Sequence, residues 1–575
     1  MPEERKTIEA RLSASPEVYR HTKFMARFEK AFPWLLAGGA ALVLLETYRK
    51  NANDRAKANA DIKAALKNQE HQAEVLKEQI RQFDENAFKE RKAERRERYT
   101  TAVEQLGSKE ALVRLGGVYT LVGLVDEWLE EKNLEYSERL KEGQVIINNL
   151  CAYIRFPFTL ASYYDELSED KPSSEGFYKD NQQKFYTDKA EFTSEADIRL
   201  SIIKEIHDRL QSPEINTPGA WSDFEYDFSG STFFYPIDLT NSYYKKPVNF
   251  SGSTYQDEVR FDGSVYKDEA DFGSSIYKSW ATFDGSTYQS WADFSNSTCQ
   301  SEVYFSDSTY KGKADFCGST YQNEVYFSYS TYQSEADFSD SIYQGKADFS
   351  DSTYRGWADF RNSAYQGRAG FTGSTYQGEV YFNDSTYQWA HFSSSIYRDR
   401  ADFSSSTYTS LAYFTDSTYQ NEVYFSGSTY EDKADFSRSI FCGDVYYGKD
   451  RYNSNFSRFT DCTPQFYNEN SHQNTLFGSP NNNFIVDIDK GYPINLNSEG
   501  LPLGCDFLTA EQKEYLEGKL QEIEKINNKL REVKDPKEKE ELLKKLQALN
   551  EELRKWREEA TMVKVEGTAL GEEDN

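Results

Sequence analysis

The sequence predicts a mixed fold: a β-solenoid over residues 226–447, flanked on both sides by α-helical and coiled-coil segments. Three observations carry this. Phenylalanine recurs every eleven residues, at Phe250, Phe261, Phe272, Phe283, Phe294, Phe305, Phe316, Phe327, Phe338, Phe349, Phe360, Phe371 and Phe382. Five residues after each stands a second aromatic, from Tyr255 and Tyr266 onward to Tyr430, with Cys299 in one such slot. Like motifs return every second unit: Glu-Val-Tyr-Phe ends at Phe305 and Phe327, and Ala-Asp-Phe at Phe294, Phe316, Phe338 and Phe360, which makes the structural period 22 residues. One residue is missing between Tyr387 and Phe392, after which the register resumes through Phe403, Phe414, Phe425 and Phe436.

A period of eleven also suits a right-handed coiled coil, but the composition of each unit excludes helix. Ala336-Asp337-Phe338-Ser339-Asp340-Ser341-Ile342-Tyr343 is rich in β-branched and aromatic residues and in Ser and Asp, which form turns. Period two puts Ala336 with Phe338, and Ser341 with Tyr343, on one side of very short strands. Repeats of fixed length stack so that neighbours bury one continuous core.

Ala292-Asp293-Phe294-Ser295-Asn296 and Ala347-Asp348-Phe349-Ser350-Asp351 resemble the motif of the pentapeptide-repeat proteins: a small residue, Asp or Asn, Leu or Phe, then two more. The resemblance implies a right-handed quadrilateral β-helix with four short faces per coil. Two faces of five residues and two of six make a 22-residue coil, and roughly ten coils stacked at about 4.8 Å make a rod of order 50 Å. Tyr replaces Leu or Phe at nearly every second inward position, and a buried hydroxyl needs a partner. The Ser two residues earlier, or water at the corner, would supply it. In the other arrangement the extra residue turns that face over, with Thr or Ile inward and Tyr outward. The inward arrangement is preferred.

With 575 residues the chain has room for several domains, and its 67 Lys and Arg against 95 Asp and Glu give a net charge of −28. That charge keeps a rod soluble and disfavours direct binding to nucleic acid or anionic lipid. Six cysteines at 151, 299, 317, 442, 462 and 505 include no C-x-x-C pair and read as free thiols in a reducing compartment.

The chain opens with a charged segment, 1–30. An uncharged run from Ala31 to Leu45 follows, giving a transmembrane helix over 31–48 as the leading reading. Fifteen residues span only about 22 Å as a helix, against a hydrocarbon core of about 30 Å, so Phe24, Met25 and Phe28 would have to extend it. An interfacial or buried helix and a signal peptide are the alternatives. Residues 49–98 read as a long coiled-coil helix, because Ile62, Leu66, Gln69, Ala73, Leu76, Ile80, Phe83 and Ala87 alternate at four and three. A stalk packed on its own neighbours and a parallel oligomer both satisfy this seam. Residues 99–156 form a small helical domain, and 157–225 a linker or insertion with an amphipathic helix over 196–210. The first block, and Asp197-Ile198-Arg199-Leu200-Ser201-Ile202-Ile203 in the second, resemble what precedes the repeats in membrane-anchored bacterial pentapeptide-repeat proteins. The resemblance covers roughly 31–447 and implies a single-pass inner-membrane protein whose bulk is cytoplasmic.

After the solenoid, 448–507 reads as a cap and linker, and 508–560 as a helical hairpin or a second oligomerising coil. Thr509 with Gln512 makes a capping box, and Leu516, Leu520, Ile523 and Leu530 form a stripe. Asp535-Pro536 restarts the helix. Leu542, Leu546, Leu549, Leu553 and Trp556 carry the second stripe. Residues 561–575 are an acidic tail expected to be disordered.

No motif announces catalysis. The five histidines, at 21, 71, 207, 391 and 472, lie far apart, and no P-loop, dinucleotide fingerprint or nucleophile elbow is present. The expectation is a protein without catalytic residues, cofactor or metal. The one constellation is a rank of acids: in a 22-residue coil, Asp271, Asp293, Asp315, Asp337 and Asp359 stack on one face. Like charges about 4.8 Å apart cost about 0.9 kcal/mol per pair in water before screening. They are either hydrated turn formers or a rail that docks a basic partner. The leading functional expectation is a non-catalytic, membrane-tethered scaffold with an unidentified protein partner and coiled coils for homo-oligomerisation. The rival is a DNA-mimicking inhibitor of an enzyme such as a topoisomerase. An enzyme with its cleft in 157–225 comes third.

Overall fold

A computed structural model describes residues 55–449, 455–533 and 536–562. The expected transmembrane segment at 31–48, the N-terminal segment and all but the first two residues of the acidic tail lie outside the described residues. No helix among the described residues is long and apolar enough to cross a membrane.

The chain divides into two compact units, Met1–Glu97 and Arg98–Asn575. The described part of the first is a helix, part of α1 (Arg55–Leu106), unbroken by Pro or Gly through the heptad seam. In that unit Leu66, Ile80 and Phe83 are 52%, 37% and 46% exposed.

The second unit is built on a parallel β-solenoid of about ten coils. Almost every strand is two residues long. Each pairs with the strand one coil away at a spacing of 22 residues: Ala336 with Ala358, Ile342 with Thr320, Ala347 with Val325, Thr353 with Thr331. These four ladders, called here faces 1 to 4 in chain order, begin at Tyr226, Thr232, Ile237 and Tyr243. The missing residue near 388 is absorbed at the corner between faces 2 and 3. There Thr386–His391 runs on as one strand beside Ala364–Gly370, with a register shift between Tyr365 and Arg368.

The interior is made of rings. Phe from faces 1 and 3 meet edge to face along the axis, as Phe316–Phe327 and Phe327–Phe338 do at 4.9 and 5.1 Å between centroids, while like rings stack, Phe316 on Phe338 at 5.0 Å. Tyr on faces 2 and 4 points inward and stacks in two further columns, Tyr332 on Tyr354 at 4.8 Å. Both rings are buried. From Val248 onward, inward Ala or Val stands two residues before each Phe of faces 1 and 3, and inward Ser two residues before each Tyr of faces 2 and 4.

The Ser two residues before each Tyr has a different task from the expected one. Its hydroxyl donates to a Phe carbonyl and accepts the N–H of the equivalent Ser one coil earlier: Ser330 Oγ donates to Phe305 O at 3.2 Å and accepts from Ser308 N at 3.2 Å. This ladder satisfies backbone groups that short strands leave orphaned at the corners. The phenols are left without it. Sixteen buried Tyr hydroxyls among the described residues make no hydrogen bond of ordinary geometry, Tyr332 among them. Burial outweighs the nearby Ser330 and holds Tyr332 well above the ordinary phenol value. Tyr332→Phe should therefore leave the melting temperature unchanged or raise it, whereas Ser330→Ala should cost about 1–3 kcal/mol by stranding a buried N–H and a buried carbonyl. Parallel thermal melts of the two variants check both signs.

Corner geometry explains why Gly, Asn and Asp are common two residues after the Phe. That position has φ near +60°, at Gly318, Asp340, Asp351 and Asn362 among others. Tyr329 holds it with φ of +59° although it is 63% exposed. Its solvent-side contact with Asp351 is weak compensation. Tyr329→Gly should stabilise by about 0.5–1 kcal/mol, read as a rise in denaturant midpoint at unchanged slope.

Helices close the first coil. α2 (Ala111–Leu129), α3 (Tyr136–Arg155) and α4 (Gln182–Leu210) bury Leu121, Val125, Leu150, Ile154, Ile202 and Ile206 in one cluster that continues into Phe228 and Phe233 of the solenoid. Phe224 presses so closely on α3 that a Cβ at Gly143 would lie 2.7 Å from its ring. Residues 157–225, expected as a linker or insertion, thus hold a helix that begins at Gln182 rather than 196, with Phe185 and Phe192 buried. At the far end Arg458–Phe459, Leu476–Phe477 and Asp506–Phe507 extend the ladders on faces 2 and 4 beyond the repeats.

The C-terminal helices α5 (Ala510–Glu532) and α6 (Pro536–Ala560) form an antiparallel hairpin, joined by Tyr515 against Trp556 and Lys519 with Glu552. The Thr509–Gln512 capping box starts α5. Their stripes are spent on the rod: Leu516, Leu520, Ile523, Leu549 and Leu553 pack with Ile440 and Leu476. Those two occupy the outward rank of face 4, which is Thr at 287, 309, 331 and 353.

Candidate interaction surfaces

Outward side chains of each face form ranks in register along the rod. The five predicted aspartates do form one, on face 1: Asp271, Asp293, Asp315, Asp337 and Asp359 are successive partners. Each carboxylate also caps its own corner. Oδ1 accepts the N–H two residues on, from Gly273, Ser295, Cys317, Ser339 and Arg361, at 2.8–3.2 Å. Two are paired with cations, Asp315 with Lys313 at 2.8 Å and Asp359 with Arg361 at 2.7 Å, and these two are buried. Burial raises Asp293, with the flanking Asp271 and Asp315 adding to it. Burial also acts upward on Asp315, but Lys313 and the bonds from Cys317 outweigh it and leave it lowered. The rank is a row of half-buried turn caps with partial charge compensation.

Ligand atoms of Asp315, Cys317 and Asp337 lie within 4.8 Å of one another. Lys313 already sits on Asp315, and burial with the neighbouring carboxylate pushes the Cys317 thiol up to about 12.

Beyond Asp359 the same rank turns aromatic, with Tyr381, Asp402, Tyr424 and Tyr446. Tyr424 stacks on Tyr446 at 4.9 Å, and Arg400 lies 4.6 Å over Tyr424 while bonding Asp402 at 2.6 Å. Sequence reasoning stopped at Asp359, although the Glu-Val-Tyr-Phe motif signals this stretch. Its Glu and Tyr point outward together, so the phenol donates to the carboxylate: Tyr304 to Glu302 at 2.7 Å, and likewise Tyr326 to Glu324, Tyr381 to Glu379 and Tyr424 to Glu422. Face 3 carries the matching pair Tyr304–Tyr326, stacked at 5.0 Å with Lys346 over Tyr326. Face 2 presents a Thr and Ile rank through Thr254, Ile276, Thr298, Thr320 and Ile342, where the two Ile are 39% and 40% exposed.

In the helical cap, Arg199 is buried. It pairs with Glu195 at 2.7 Å and donates to the carbonyls of Ile154 and Phe156, each at 2.7 Å. It thereby satisfies the orphan C-terminus of α3. His391 stands outward on face 3 against the ring of Tyr413, and His207 bonds Thr240 O at 2.8 Å. Cys299 fills its Tyr slot as a small buried residue, and all six cysteines are free.

These features define a class, a β-solenoid with helical caps, ranked outer faces and one face part-covered by its own helices. Comparison with protein-family models, curated proteins and solved structures gives no match to this chain.

Proposed function

We propose that the chain is a non-catalytic scaffold of the pentapeptide-repeat type, tethered to the cell membrane through residues 31–48 with its bulk in the cytoplasm. The observation that carries this reading is the hairpin on face 4. Replacing outward Thr by Ile440 and Leu476 turns a polar rank into a seat for helices, so the same rod can bind a partner wherever its outward rank is apolar or aromatic. The Thr and Ile rank of face 2 and the Tyr pairs of faces 1 and 3 are such stretches. The exposed seam of α1 suits a parallel homo-oligomer, which would array several rods. Cells carrying a photo-crosslinking residue at Thr320 or at Tyr326 should yield a partner adduct from one of these faces. Leu76→Lys should reduce the mass measured by light scattering. No adduct from any face, together with a monomeric wild type, would sink the proposal. Fractionation with protease protection of the C-terminus tests the tether.

The DNA-mimic reading draws on the register of the aspartate rank. Its partial burial and the Lys313 and Arg361 pairs leave it less charged than a phosphate backbone, and the scaffold reading predicts no effect of this protein in a topoisomerase supercoiling assay.

A further inference from the structure

Between α6 and face 4 lies a cavity of about 320 Å³ whose walls include Thr375 and Thr418 of the rod and Gln547, Asn550 and Arg557 of α6. At about 30 Å³ per water in the liquid, it accommodates a small ion with several waters. Arg557 is only 8% exposed. Its Nη1 makes a long 3.4 Å contact to Thr418 Oγ1, and its Nε has no hydrogen-bond partner among the described residues.

The neighbouring acids are committed elsewhere. Asp416 takes two bonds from Arg438, at 2.9 and 2.6 Å, and Glu551 and Glu558 both pair with Arg554. Burial, the largest influence on Arg557, pulls it down to about 10; Asp416 and Glu558 favour its cation, and Arg554 and Arg438 oppose it. A desolvated guanidinium without a carboxylate is costly unless something pairs with it. Guanidinium is also the side chain best shaped to bind oxyanions in two-point contact.

We propose that this cavity is a binding site for a small oxyanion, with the Arg557 guanidinium as its counter-charge and the Thr418 and Thr375 hydroxyls and Asn550 amide as further donors. An anion here touches both rod and hairpin, so it fastens α6 to face 4 and stabilises the closed arrangement in proportion to its occupancy.

Inorganic phosphate is the probe. The full chain is melted, and titrated by calorimetry, at increasing phosphate with chloride adjusted to hold ionic strength constant. The expected result is a saturating rise in melting temperature for the wild type. Arg557→Gln should weaken the phosphate response at least about tenfold. In phosphate-free buffer the same variant should melt at or above the wild-type temperature, because an unpaired buried charge has gone. A purely structural Arg557 would instead lower the melting temperature equally with and without phosphate. Thr418→Val, which keeps the shape of the wall, should weaken phosphate binding several-fold and serves as the readout where Arg557→Gln fails to fold. The same response in wild type and both variants, or no saturation in the wild type, overturns the site.

Discussion

Above pH 10 the solenoid should unfold cooperatively, with tyrosine ionisation and loss of β-structure in one transition. The unfolded chain ionises its phenols near the ordinary value of about 10. Burial raises the folded values well above it, at Tyr266, Tyr288, Tyr310, Tyr354 and Tyr376 among others. A group raised on folding contributes stability that is complete below its unfolded pKa and is lost as pH climbs toward the folded one, so the loss begins near pH 10. Each phenol removes about 1.4 kcal/mol per pH unit past that point. With sixteen such hydroxyls, the combined slope is on the order of 20 kcal/mol per unit, enough to bring down the rod within a fraction of a unit. Tyrosinate absorbance and far-ultraviolet circular dichroism, followed together, check this. Phenols that titrate one by one near pH 10 without loss of dichroism would show that water reaches them and that the columns are open.

Phe338→Ala should be the most damaging single change in the core, at about 3–5 kcal/mol. Phe338 is fully buried and touches rings on every side: it stacks with Phe316 and Phe360 at 5.0 and 4.9 Å, and it meets Phe327 and Phe349 edge to face at 5.1 and 5.2 Å. Fixed parallel ladders on all four faces leave the backbone no route to close over the void, which puts the site at the upper end of the range. Because each coil touches only its neighbours, the damage should stay local. Hydrogen exchange should accelerate in the coils that contain Phe316, Phe338 and Phe360, and leave the coil of Phe250 unchanged. Urea melts give the magnitude. A loss below about 1 kcal/mol would mean that the axis is loosely packed.

The solenoid was legible because one pattern decides everything about it. Aromatic spacing fixes the coil, and period two fixes which side chains face in. The register of the aspartates followed from the same 22-residue phase. What the sequence could not show is how groups from different coils share their bonds. The serine hydroxyl or a corner water is what the sequence offers the phenol, but Ser330 Oγ donates to the carbonyl of the Phe twenty-five residues earlier and accepts a backbone N–H from the coil before. Likewise the rank of Asp271 to Asp359 reads either as turn formers or as a charged rail until Lys313 and Arg361 are folded onto it. Residues 157–225 hide their role because they make irregular contacts with a fixed end surface, Phe192 against Phe234 for example, and such contacts have no period. The hairpin's seat was visible only as a change from Thr to Ile396 and Ile440 along one phase, with Thr418 between them, and Leu476 joins that rank 36 residues after Ile440, off the phase.

Paired cysteine substitutions test the four-faced stack most directly. Thr320 and Ile342 are ladder partners on face 2, so Thr320→Cys with Ile342→Cys places two thiols within disulfide range of a parallel pair, and mild oxidation should link them to near completion. Thr331 belongs to face 4, so Thr320→Cys with Thr331→Cys should stay reduced although the two positions are closer in sequence. Linkage of the second pair and not the first would contradict the stack, and with it every surface and cavity described above.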